Sequence, residues 1–172
     1  MKFTYFVLAI TFLFIGCTSI KPDDPYGRDM PKRPDWTLNN KVPDRDRLIC
    51  YESIYVHERS DDRRKRYGVL RFFPNGQFMS KATEDYNDDI VYNSFQSAVV
   101  GYFFIDSRGI VLEHFTSIGF GSYQITKGGV VPDKSISIVS FGQRGKIQHR
   151  YAEEEVYKKV SVDNLKPILP DW

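Results

Sequence analysis

Between Leu48 and Val160 the chain alternates short apolar-rich runs with polar turns. Leu48–Glu58 mixes Ile, Tyr and Val, residue types that fit a pleated, half-buried surface. Ser60–Arg66 reads as a charged turn and Tyr67–Phe73 as a second strand. Pro74-Asn75-Gly76 marks a hairpin, because Asn and Gly tolerate positive φ, and Gln77–Thr83 returns. Glu84–Gln96 is polar with a few apolar positions, either a loop or one short helix. Further strands follow at Ala98–Ile105, Ile110–Ser117, Ser122–Thr126, Ser135–Phe141 and Ile147–Val160. They are split by Asp106–Gly109, Lys127-Gly128-Gly129, Val131–Lys134 and Gly142–Gly145. About eight strands at this spacing predict an antiparallel sandwich or barrel, not a βαβ fold. No stretch is long and periodic enough to supply crossover helices.

Two strands show their faces. Ser135-Ile136-Ser137-Ile138 puts both isoleucines on one side. Ile110, Leu112 and His114 oppose Val111, Glu113 and Phe115, so that strand is apolar on both sides. A barrel strand with a covering segment outside explains this, and so does a strand near a sandwich edge.

The N-terminus follows a different pattern. Met1-Lys2 is a short positive end, and Phe3–Ile15 is almost wholly apolar, the layout of a secretory signal. The run is shorter than the roughly 20 residues needed to span a bilayer. It ends in Phe14-Ile15-Gly16-Cys17, which resembles the lipobox of bacterial lipoproteins. That resemblance implies removal of residues 1–16 and acylation of Cys17 by palmitate-type chains, which anchor the protein in a membrane. Cys50 would then be the remaining thiol, expected as a small buried core residue.

Residues 17–45 carry Pro22, Pro25, Pro31, Pro34 and Pro43 among charged residues, which predicts an extended tether between anchor and domain. Trp36 is expected to dock on the domain, because an exposed indole in a free linker is wasteful. Lys21-Pro22-Asp23-Asp24 loosely resembles the surface-export signal of Bacteroidetes-type lipoproteins, and Thr18 is not the aspartate of inner-membrane retention. Both place the expected location in the outer membrane of the bacterial envelope.

Composition narrows the function classes. Lys and Arg number 24 against 22 Asp and Glu, too balanced for a dedicated nucleic-acid binder. Two cysteines exclude a disulfide-rich scaffold and a four-cysteine zinc site. The order Tyr67–Gly76, Gly101–Gly109 with Glu113, Ser122–Thr126 and Ser135–Ile138 resembles the lipocalin-like lipoproteins of Bacteroidetes-type bacteria. The resemblance implies an all-β, antiparallel up-and-down lipocalin-like (calycin) barrel over residues 46–172, and binding of a small apolar or amphipathic ligand.

Candidate chemistry is sparse. The chain lacks Gly-x-Ser-x-Gly, His-Glu-x-x-His, a Walker loop and a dinucleotide fingerprint, so neither an enzyme nor a cofactor is expected. His57, His114 and His149 are far apart in sequence, and no metal is expected. Phe72, Phe78, Tyr102, Phe104, Phe115 and Tyr123 are the candidate ligand-lining residues. The same aromatics would also fill a barrel without a ligand. Arg63, Arg64, Lys65 and Arg66 are the candidate contact for an anion or a partner, and equally suit a solvated hairpin tip. Glu153-Glu154-Glu155 cannot all face a core, which predicts an exposed edge or a bulge. The other expected function is an interaction module that docks on an envelope protein through a filled barrel or sandwich.

Overall fold

The computed structural model describes residues 21, 24–44, 46–60, 64–118 and 121–172. The expected signal segment 1–16, Cys17 and Arg63 lie outside the described residues. Eight strands form one closed antiparallel barrel, as the turn spacing and the resemblance led us to expect. They are β1 (Ser53–Ser60), β2 (Lys65–Phe72), β3 (Gln77–Thr83), β4 (Val99–Asp106), β5 (Gly109–Thr116), β6 (Ser122–Val131), β7 (Ser135–Gln143) and β8 (His149–Ser161). Each strand pairs with its sequence neighbours, and β8 closes on β1. A short helix, α1 (Asp89–Asn93), lies between β3 and β4, with the Asp88 carboxylate accepting from Ile90 N at its start.

The inner face gathers Tyr55, Leu70, Phe72, Phe78, Phe103, Ile105, Ile110, Leu112, Ile136, Ile138 and Tyr157 into one core. Register explains the set: Phe72 sits opposite Phe78, Phe103 opposite Leu112 and Ile105 opposite Ile110. One end of the barrel is plugged. Ile49 enters this core, and the buried Asp44 carboxylate accepts from Leu48 N at 2.9 Å and Ile49 N at 2.8 Å. The β1–β2, β3–β4, β5–β6 and β7–β8 connections all lie at the other end, as alternating strand directions require.

Two connections differ from expectation. The Pro74-Asn75-Gly76 turn has positive φ at Gly76 alone, so it is a three-residue loop and not a two-residue hairpin. Lys127-Gly128-Gly129 is not a break but the middle of β6, with a register shift at Lys127/Gly128. A Cβ at Gly128 would lie 1.6 Å from Ser137 O, so β6 and β7 approach there only because the side chain is missing.

The largest correction concerns the expected tether. Residues 24–44 do not stand free but form a strap packed on the outside of the barrel. Arg28, Met30, Trp36 and Leu38 are buried. Tyr26 O accepts from Ser97 N at 2.7 Å, and Pro43 O accepts from Ile105 N at 2.8 Å, so the strap runs from the loop end to the plugged end. Proline excludes ladder bonds but not packing, and the apolar residues between the prolines provide the contact. The strap is the covering segment that makes β5 apolar on both faces, and Trp36 docks as expected. The C-terminal tail covers a neighbouring strip. Trp172 packs against Phe73 and Phe95 on the side wall, with its Nε1 donating to Gly101 O at 3.2 Å. Arg28 ties strap to tail through Asp24 at 2.7 Å and Asp171 at 2.6 Å, which holds the Asp24 carboxyl below its ordinary range.

Candidate functional site: a small cavity with a lateral opening

The half of the barrel nearer the loops is not filled. A cavity of about 180 Å³, partly open to solvent, is walled by Leu70, Phe78, Val99, Leu112 and Ile138 on its apolar side. Its polar side carries Arg59, Ser80, His114, Thr126, Tyr151, Glu155 and Tyr157. A dry engineered cavity of about 150 Å³ holds benzene, so the space fits one small ring or the end of an acyl chain. It is too small for a whole lipid.

Three polar groups define its chemistry. The His114 imidazole makes no hydrogen bond among the described residues. Burial pushes its pKa down to about 4, so at neutral pH it offers one free donor and one free acceptor to the cavity. Burial and the Glu155 charge push the Tyr157 phenol up to about 12, so it stays protonated and donates to Glu155 Oε2 at 3.4 Å. The Glu155 carboxylate also holds Arg59 at 2.5 Å.

That ion pair closes a gap in the barrel wall. β1 and β8 are paired only from Ser53↔Ser161 to Val56↔Lys158. Beyond this point side chains span the seam: His57 Nδ1–H donates to Val156 O at 3.0 Å, and Arg59 reaches Glu155. On its other edge β8 passes from the Ile138↔Glu155 pair to the Ser140↔Arg150 pair, so Tyr151–Glu154 bulge away from β7. A surface groove of about 550 Å³ lies there, lined by His57, Arg59, Tyr151 and Ala152–Glu155. Arg59, Tyr151 and Glu155 border both groove and cavity, so the arrangement is a compartment with a side opening latched by one ion pair. The acidic run Glu153-Glu154-Glu155 thus falls at a bulge, one of the two settings expected for it.

The sequence-derived candidates divide by face. Phe78 lines the cavity, and Phe72 lies beneath it, edge-on to Tyr55 and Phe103. Tyr102, Phe104, Phe115 and Tyr123 are on the outer face. Tyr102 and Tyr123 flank Trp36 of the strap, Phe115 packs edge-on to Tyr123, and Lys41 Nζ sits 4.5 Å above the Phe104 ring. The alternation was right and its sign wrong for these four, because a strand covered on both sides does not reveal which side is inner. Arg64 and Lys65 pair with Glu84 at 3.6 Å and Glu58 at 3.2 Å near the β1–β2 turn, beside the exposed Arg66. Cys50 is half-buried, with Sγ 3.4 Å from Ser53 Oγ, rather than fully inside the core.

On the polar side, the sequence pattern marks His114 and Glu155 only for other roles, and Arg59 and Tyr157 for none. Arg59 is far in sequence from Glu155 and Tyr157, and no spacing signals the set. His114 carried a signal, an ionisable residue on the Ile110/Leu112 face, but its neighbour Glu113 points outward and serves the strap.

A larger cleft of about 850 Å³ lies outside the plugged end, under Val162–Leu169. Its buried cation, Arg71, donates through Nη1 to Tyr92 O at 2.7 Å and through Nη2 to Lys166 O at 2.5 Å, tying tail to barrel, and leaves its Nε without a partner. Among the described residues no group of His, Cys, Asp or Glu could hold a metal ion. No family profile, curated protein or solved structure matches the chain.

Proposed function

We propose that the protein is a non-enzymatic, membrane-anchored bacterial lipoprotein whose barrel binds a small amphipathic molecule. The observation that carries this reading is the unpartnered His114 facing a cavity that is otherwise half apolar. His114 is half-buried at the cavity wall, so a ligand that covers it can bond to the imidazole directly and shield that bond from water. The ligand has an apolar part the size of one ring or a short acyl end, packed on Leu70, Phe78, Leu112 and Ile138. Its polar part bonds to His114 and reaches Arg59 and Glu155. Anything larger extends into the β1–β8 groove. Anchoring through acylated Cys17 in the outer membrane belongs to the same reading and rests on the lipobox resemblance.

Calorimetric titration of the purified protein with octanoate, octanol and benzoate tests the binding. Val99→Phe, at a partly exposed position on the cavity wall, fills the space without disturbing the core. The reading expects heat of binding for at least one of these compounds and a loss of about tenfold or more in Val99→Phe. Absence of binding to all three, or equal binding by the filled variant, contradicts it.

A further inference from the structure

The strap fixes where any N-terminal anchor must lie. Its first part is held at the loop end of the barrel. Asp29 Oδ2 accepts from Ser117 N at 2.8 Å and Ser117 Oγ at 3.0 Å, beside the β5–β6 turn. Asp35 pairs with Arg144, in the β7–β8 turn, at 2.8 Å. Lys21 N donates to Met30 O at 2.9 Å, so the strap's earliest described residue is folded back beside Asp29. Cys17 lies four residues before Lys21, and four residues span at most about 14 Å.

The same end carries two unusually exposed apolar side chains. Ile118, next to Ser117, is 80% exposed, and Ile147, three residues after Arg144, is 86% exposed. They sit on adjacent hairpins, and Lys146 beside Ile147 is exposed. Two tips of this kind at the loop end suit insertion into a bilayer interface next to basic contact with headgroups.

We propose that the protein rests on the bilayer through Ile118 and Ile147, with the loop end of the barrel, and so the cavity half, turned towards the lipid. The inference rests on the lipoprotein reading above and adds an orientation to it. The expected tether would hold the domain off the membrane, whereas a strap fastened from Lys21 onward keeps it at the surface. A short-chain amphipath leaving the bilayer then meets the cavity without crossing open water.

The test uses the full chain produced in a bacterium that acylates lipoproteins. The mass of the N-terminal peptide first reports whether Cys17 carries acyl chains. In a Cys50→Ser background, Ile118→Cys, Ile147→Cys and Leu169→Cys are each labelled with a nitrobenzoxadiazole dye. Leu169 is also 86% exposed but lies on the tail, at the cleft of the plugged end. The proteins are placed in phosphatidylethanolamine/phosphatidylglycerol vesicles, with and without nitroxide-labelled lipid. The expected result is several-fold stronger quenching at positions 118 and 147 than at 169. An acylated protein with equal quenching at all three positions, or most at 169, overturns the orientation and leaves the lipoprotein reading standing. A Cys17 without acyl chains overturns the lipoprotein reading and this inference with it.

Discussion

Glu113 and Arg144 meet at 2.9 Å where β5, the β7–β8 turn and the strap cross. Glu113 is fully buried, on the outer face of a barrel strand. Its carboxylate also accepts from Thr37 N at 2.7 Å, Thr37 Oγ1 at 3.0 Å and Leu38 N at 3.0 Å. Four donors satisfy one carboxylate, and two of them are backbone groups of a segment with no strand or helix of its own. Arg144 also holds Asp35 and lies over the Tyr123 ring at 4.1 Å. The strap is therefore part of the domain, fixed by charge at its upper half and by Trp36 and Leu38 beside it.

Glu113→Ala should cost on the order of 3 kcal/mol in denaturant unfolding, because it leaves two backbone donors without their acceptor, while Arg144 keeps Asp35. Glu113→Gln, which keeps an acceptor oxygen, should cost less. The same variants should become cleavable by protease within residues 31–42. A loss below about 1 kcal/mol in Glu113→Ala would mean that the strap is only loosely held.

Acid should destabilise the fold through His114. The unfolded chain takes up the imidazole proton near pH 6.5, and the folded one only near pH 4. Between these values the unfolded state binds more protons, so stability is full above pH 6.5 and falls as pH drops towards 4. The loss at the lower limit is on the order of 3 kcal/mol. His114→Gln should flatten this part of the stability–pH curve. An unchanged slope in the variant would assign the acid sensitivity elsewhere.

Arg59→Met should open the side of the cavity without unfolding the barrel. The Arg59 side chain is largely exposed, so loss of its pair with Glu155 should cost less than about 1 kcal/mol in stability. Exchange of a bound compound should accelerate several-fold in both directions, as followed by stopped-flow fluorescence. Unchanged rates would place the route at the barrel mouth and not at the β1–β8 seam.

Gly128→Ala tests the strand crowding. A methyl group cannot fit 1.6 Å from Ser137 O, so β6 and β7 must separate. We expect a loss of about 2 kcal/mol or more in thermal unfolding, with amide protection falling first in these two strands. A neutral effect would show that the pair can slide at its bulge.

Much of the barrel was legible because turn residues punctuate it. Asp106–Gly109, Val131–Lys134 and the alternation at Ile136 and Ile138 bound strands near where they occur. Gly128 misled because a glycine within a strand looks like a turn when the crossing backbone is unseen. The proline-rich strap misled because proline reports what a segment cannot bond to, not what it can pack on. The site was less legible for a related reason. Phe72 and Phe78 lie inside the barrel, but Tyr102, Phe104, Phe115 and Tyr123 are on its outer face, and only a known covering segment tells the two faces of such strands apart. Arg59 of β1 meets Glu155 and Tyr157 of β8 through barrel closure between the most distant strands in sequence, and His114 faces the same cavity from β5, which no local pattern encodes.

Native mass spectrometry of the protein purified with its own lipids, before and after denaturation, tests the binding claim most directly. The account expects a stoichiometric small molecule that is retained by the folded protein, released on unfolding, and absent from Val99→Phe. A folded protein that carries no such molecule, from every preparation and after incubation with membrane extract, would contradict it.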